Sequence, residues 1–78
     1  MYYVIAEYPL GQMEAVQKVI EEVTESFGVA HDSGAGFGIR DVSFYTDDES
    51  EAWEILSFLR VSNPQPVNDS IEFYDWED

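Results

Sequence analysis

The sequence predicts an α+β domain, an antiparallel sheet with two helices packed on one face, in the order β-α-β-β-α-β. Period-two alternation over residues 2–8, 39–46 and 71–76 marks strands, and between these lie two apolar stripes recurring at spacings of three and four residues. At 78 residues, the sequence points to a single domain spanning 1–78, because a chain of this size buries only about 60% of its unfolded surface.

The first strand divides into Tyr2, Val4, Ala6 and Tyr8 on one side and Tyr3, Ile5 and Glu7 on the other. Both sets are largely apolar, which predicts a central strand. Pro9, Leu10 and Gly11 break it, and from Gln12 onward Met13, Val16, Val19, Ile20, Val23 and Phe27 form the stripe of a helix that Gly28 should stop. Gly34, Gly36 and Gly38 interrupt any alternation between Val29 and Gly38, so this stretch reads as an irregular edge strand and turn. Ile39 to Thr46 reads as a regular strand, with Val42, Phe44 and Thr46 on one face and Ser43 and Tyr45 on the other.

Thr46-Asp47-Asp48-Glu49 has the spacing of a capping box, with Thr46 at the cap and Glu49 reaching back to it. Ala52, Ile55, Leu56 and Leu59 form the stripe of the second helix, with Trp53 and Phe58 at its margins, and Asn63-Pro64-Gln65-Pro66 should end it. Ile71, Phe73 and Asp75 then alternate with Glu72, Tyr74 and Trp76. This order and length fit the ferredoxin-like split β-α-β sandwich. With Val4, Val42, Phe44, Ile71 and Phe73 toward the helices, Tyr3, Tyr45, Tyr74 and Trp76 are expected to line the uncovered sheet face, an aromatic surface suited to apolar anchoring or a homodimer.

Charge is the strongest functional signal: 17 Asp and Glu against 3 Lys and Arg give a formal net charge of -14. Self-repulsion of that size destabilises a compact state, and its natural complement is a strongly basic surface. Disorder is not the explanation, since 45% of residues are hydrophobic and 15% aromatic. The absence of Cys argues against a disulfide frame and for a reducing, cytoplasmic setting. Met1 to Glu7 reads as a strand rather than a secretory signal, and the lack of a long apolar run argues against a membrane role.

The carboxylates fall in clusters. Asp47, Asp48 and Glu49 are accounted for by the first turn of a helix, where the macrodipole favours anions. Glu21, Glu22 and Glu25 are not, because they approach the helix C-terminus, and Glu21 and Glu25 form a like-charged i,i+4 pair. Glu14, Glu21, Glu22, Glu25, Glu51, Glu54, Glu72 and Asp75 are therefore the expected partner-binding acids. Neighbouring carboxylates on a helix lie about 5–6 Å apart at Cβ, comparable in scale to the charge spacing of a nucleic-acid backbone.

Other chemistries fare worse. The Asp47 to Glu51 run lacks calcium-loop spacing, and Ser33 to Gly38 lacks the Lys-Ser/Thr ending of a phosphate loop. His31 beside Asp32 is the minimum for acid–base work, with no Cys or recognisable Ser nucleophile to join it. An RNA-stacking face fails on charge, as three basic side chains cannot offset 17 acids beside a phosphate chain, so no direct nucleic-acid binding is expected. Neither an enzyme nor a cofactor or metal is indicated.

In size, charge ratio and compact α/β plan, though in no sequence motif, the whole chain resembles the small acidic phage-encoded inhibitors of bacterial defence, above all anti-CRISPR proteins and other DNA mimics. The resemblance implies a non-enzymatic protein that binds a Cas effector subunit and blocks its engagement of target DNA. The alternative is a dimeric ferredoxin-like regulatory module that binds a small ligand or a host protein.

Overall fold

The computed structural model describes residues 1–75. Strand β1 (Tyr2–Pro9) runs through the middle of a four-stranded sheet, antiparallel to β3 (Ile39–Thr46) on one side and β4 (Asn68–Phe73) on the other. Strand β2 (Ala30–Gly36) completes the order β2-β3-β1-β4. Because every neighbouring pair is antiparallel, β1 and β2 point the same way with β3 between them. Helices α1 (Met13–Phe27) and α2 (Glu49–Arg60) make the two crossovers, which is the ferredoxin-like split β-α-β plan.

One face of the sheet holds the core. Val4, Ala6 and Tyr8 of β1 and Val42 and Phe44 of β3 pack against Val16, Val19, Ile20 and Val23 of α1 and Ala52, Ile55, Leu56 and Leu59 of α2. Phe27 and Phe58 meet edge to face at 6.2 Å where the helices touch. Met13, expected in the α1 stripe, is instead 49% exposed, because α1 starts there after a 3-10 turn (Leu10–Gln12) and its first residue lies beyond the edge of the core. Gly28 ends α1 as the sequence indicates, with φ 65° and its N–H donating to the Thr24 carbonyl at 3.0 Å.

The α2 cap differs from the expected capping box by two positions. Asp48 is the cap, its carboxylate accepting from the Ser50 N–H at 2.9 Å. Thr46 accepts from the Asp48 N–H and donates its hydroxyl to Glu51 Oε1 at 2.7 Å, so Glu51, not Glu49, is the acid that reaches back. An Asp in the extended conformation one residue before the first turn out-competes the more distant Thr as cap. At the other end of α2, Arg60 donates to both oxygens of Asp69 on β4 at 2.9 and 3.0 Å, and the guanidinium holds the Asp69 carboxyl below its ordinary range.

Strand β4 spans Asn68–Phe73, earlier than the alternation over residues 71–76 suggests, since Asn68, Asp69 and Ser70 already pair with Glu7, Ala6 and Ile5. Phe73 faces the helix side but is 57% exposed, as it sits at the outer edge opposite Tyr2. The glycine-rich stretch, expected to be irregular, is a regular edge strand with all seven residues exposed. Its middle amide is taken locally: the Ser33 N–H donates to Asp32 Oδ1 at 2.9 Å.

A two-residue turn, Phe37-Gly38, joins β2 to β3 with φ 54° and 77°, the positive values that match hairpin twist. Glycine adopts this conformation freely, whereas Phe37 adopts it at a steric cost and with its ring fully exposed. Phe37→Asn should therefore raise stability by about 1 kcal/mol, measured by urea unfolding. No change, or a loss, would mean that the ring makes a compensating contact.

Candidate protein-binding face

The helices cover one side of the sheet, and the strand alternation that buries Val4, Val42 and Phe44 turns Tyr3, Ile5, Glu7, Asp41, Ser43 and Tyr45 to the other. The register arranges this uncovered face in rows across the strands. One row is Ala30, Tyr45, Tyr3 and Glu72; the next is Asp32, Ser43, Ile5 and Ser70; the third is Gly34, Asp41, Glu7 and Asn68.

The first row is aromatic. Tyr3 meets Tyr45 edge-on with ring centroids 4.8 Å apart, and Tyr74, just beyond β4, closes on the other side of Tyr3 at 4.9 Å. Each flanking phenol has a carboxylate beside it. The Tyr74 hydroxyl donates to Glu72 Oε1 at 3.0 Å, and that bond raises the Tyr74 pKa. The Tyr45 pKa is raised by partial burial and then by Asp32. Tyr3 and Tyr45, both half-buried, and the exposed Tyr74 thus form one cluster on the side expected for them. Trp76 lies outside the described residues.

Beyond the tyrosines the face is low at Ser43 and Gly34 on one side of Ile5 and at Ser70 on the other, and the rim turns acidic. Glu7 and Asp41 stand directly opposite one another on adjacent strands, a like-charged pair that destabilises the sheet by about 0.2–1 kcal/mol. Asp41 leans across the edge strand, its Oδ1 only 3.0 Å from where a Cβ on Gly34 would lie. Shallow depressions of about 250 and 160 Å³ flank the centre, the first reaching Glu7 and Ser70 and the second held by Asp32, Gly34, Asp41 and Ser43.

No Lys or Arg side chain compensates these acids among the described residues of the face. Arg40 points to the helix side, where it donates to Ser33 Oγ at 3.0 Å and Gln17 Oε1 at 3.1 Å. Arg60 is bound to Asp69, and Lys18 lies on α1. His31 and Asp32, neighbours in sequence, point to opposite faces of β2: His31 lies 6.3 Å from Phe44 on the helix side. They do not form an acid–base pair.

The acids expected to bind a partner divide between two sides of the molecule. Glu14, Glu21, Glu22 and Glu25 are exposed on α1, and the helical repeat sets Glu14, Glu21 and Glu25 along one ridge. Glu54 is exposed on α2, while Glu51 is half-buried and bound to Thr46. Glu72 belongs to the opposite, sheet side, and exposed Asp75 follows β4. Glu7, Asp32 and Asp41, absent from the expected set, contribute most of the sheet-side charge. Their alternation with Tyr3 and Tyr45 was visible in the sequence, but only the register shows that Glu7 and Asp41 meet.

An open groove of about 960 Å³ lies between the start of α1 and the end of α2, lined by residues that include Leu10, Met13, Lys18, Glu22, Phe58 and Val61. Among the described residues no His, Asp and Glu side chains cluster with the geometry of a metal site, and no helix is long and apolar enough to cross a membrane. Compared with known protein families, curated proteins and solved structures, the chain matches none.

Proposed function

We propose that this protein is a non-enzymatic acidic inhibitor that binds the basic, nucleic-acid-binding surface of another protein. The target consistent with its resemblance to anti-CRISPR proteins is a CRISPR-Cas effector complex in a bacterial host cytoplasm, whose engagement of target DNA it blocks. The observation that carries this reading is the placement of acids where they oppose folding. Glu21 and Glu25 repel each other at the C-terminal half of α1, and Glu7 and Asp41 repel each other across the sheet, with no basic residue in the last turn of α1. A surface of Lys and Arg side chains relieves both repulsions on binding, so the free energy withheld from folding is recovered in the complex.

A dimer through the sheet faces uses this geometry less well, because it would set Glu7, Asp32, Asp41 and Glu72 of one copy against the same acids of the other.

Charge reversal separates binding from folding by sign. Glu21→Lys with Glu25→Lys exchanges one like-charged pair for another, but it lowers the excess negative charge of the chain and places cations near a helix C-terminus, so thermal stability should hold or rise by about 0.5 kcal/mol. Competition with labelled target DNA for a purified effector complex should weaken about tenfold or more, and wild-type binding should itself fall as salt rises. Competition that is insensitive both to salt and to the reversal would refute the mimicry.

A further inference from the structure

We propose that the uncovered sheet face is a docking surface for arginine side chains of the partner, which stack on the Tyr3, Tyr45 and Tyr74 row while their guanidinium groups pair with the carboxylates at its margins. This inference rests on the acidic-inhibitor reading and adds a contact on the sheet side to the one on the ridge of α1.

Two features of the face select a planar cation. The first is aromatic: Tyr3 meets Tyr45 edge-on at 4.8 Å and Tyr74 at a tilt at 4.9 Å, a row of three rings inclined to one another, and the Glu72 carboxylate at 3.0 Å fixes the Tyr74 phenol. A guanidinium stacks on such a surface and remains weakly hydrated, whereas a lysine ammonium is compact and strongly hydrated. The second is charge complementarity with relief beside the rings: Ser43 and Gly34 make a shallow floor beside Asp32 and Asp41, and across Ile5 a second one is made by Ser70 beside Glu7. A side chain crossing the rings can reach a carboxylate and accept its bidentate geometry.

The ridge of α1 offers carboxylates without rings, so it attracts any cation of equal charge alike. The two surfaces therefore differ in what they discriminate: the ridge reads charge, and the sheet face reads the shape of the cation.

Octa-arginine and octa-lysine peptides carry the same side-chain charge and separate the two. At about 0.15 M salt the wild-type protein should bind octa-arginine about three to five times more tightly than octa-lysine, by fluorescence anisotropy. Tyr45→Leu should bring the ratio close to one at unchanged net charge. Glu21→Lys with Glu25→Lys should weaken both peptides and leave the ratio as it was.

Should Tyr45→Leu fail to fold, Tyr74→Leu, at an exposed position past the last strand, makes the same comparison. In the wild type, nuclear Overhauser contacts from arginine δ protons to the rings of Tyr3, Tyr45 or Tyr74 are expected as well. Equal affinity for the two peptides, a preference that survives loss of the tyrosines, or absence of those contacts would overturn the arginine site and leave the acidic-inhibitor reading standing. If the effector complex is not bound in a salt-dependent way at all, the wider reading fails, whatever the peptides do.

Discussion

Phe44→Ala should remove about 3–5 kcal/mol of stability, while Tyr45→Ala, one residue along the same strand, should remove less than about half of that. Phe44 is 1% exposed on the inner strand β3, pairing with Val4 and His31, and belongs to the core that the sheet shares with the helices. Its removal leaves a cavity that Val4 opposite it and the rest of the core only partly fill. Tyr45 faces the other way and loses an edge-on contact with Tyr3 over a surface already open to water. A domain of 78 residues has roughly 4–12 kcal/mol in total, so the Phe44 variant should be largely unfolded in low urea and the Tyr45 variant should not. Urea unfolding followed by far-UV circular dichroism measures both. Equal losses would mean that the sheet is covered on both faces.

Tyr8→Phe should have the opposite sign. Tyr8 is 1% exposed, and its hydroxyl has no hydrogen-bond partner among the described residues. Replacing an unpaired buried hydroxyl by hydrogen should stabilise the fold by about 1–2 kcal/mol at neutral pH. Burial, followed by the nearby Asp69 carboxylate, pushes the Tyr8 pKa up to about 12, from 10.0 in an unfolded chain.

Because the folded state holds the neutral phenol, this contribution is intact below pH 10 and is lost as pH rises from 10 toward 12. At about 1.4 kcal/mol per pH unit the loss reaches roughly 2.7 kcal/mol. The Phe variant lacks it, so its margin over the wild type should widen through that window. An alkaline unfolding series of the two proteins tests this, and a less stable Phe variant at neutral pH would show that the hydroxyl is satisfied in solution.

The order of elements was legible because the signals that specify it are local. Alternation at Val4, Ala6 and Val42, the α1 stripe and Gly28 each act within a few residues of where they are read. The α2 cap was misplaced because Thr46 and Asp48 both offer a side-chain oxygen, and which one caps depends on backbone conformation at Asp48 rather than on residue type. The regularity of β2 was hidden for a related reason: glycines permit irregular backbone, but pairing with all of β3 holds them extended.

The candidate face was half visible. Tyr3, Tyr45 and Tyr74 follow from strand parity, whereas the opposition of Glu7 to Asp41 and the lean of Asp41 over Gly34 are properties of register and of a missing Cβ, which no single strand contains. That the acids of α1 and those of the sheet lie on two sides is not legible in the same way, because sequence carries charge but not the side of the molecule on which it lies.

The edge strand has a consequence for how the protein behaves in a crowded cell. Seven exposed residues of flat, small-side-chain β-structure are a template on which another chain could add and aggregation begin. By binding the Ser33 amide, Asp32 occupies the outward donor at the middle of that template and sets an anion on its rim. An incoming strand must displace the carboxylate before it can pair. The acidity that the proposed function assigns to partner binding thus also keeps copies of the chain from polymerising through their edges.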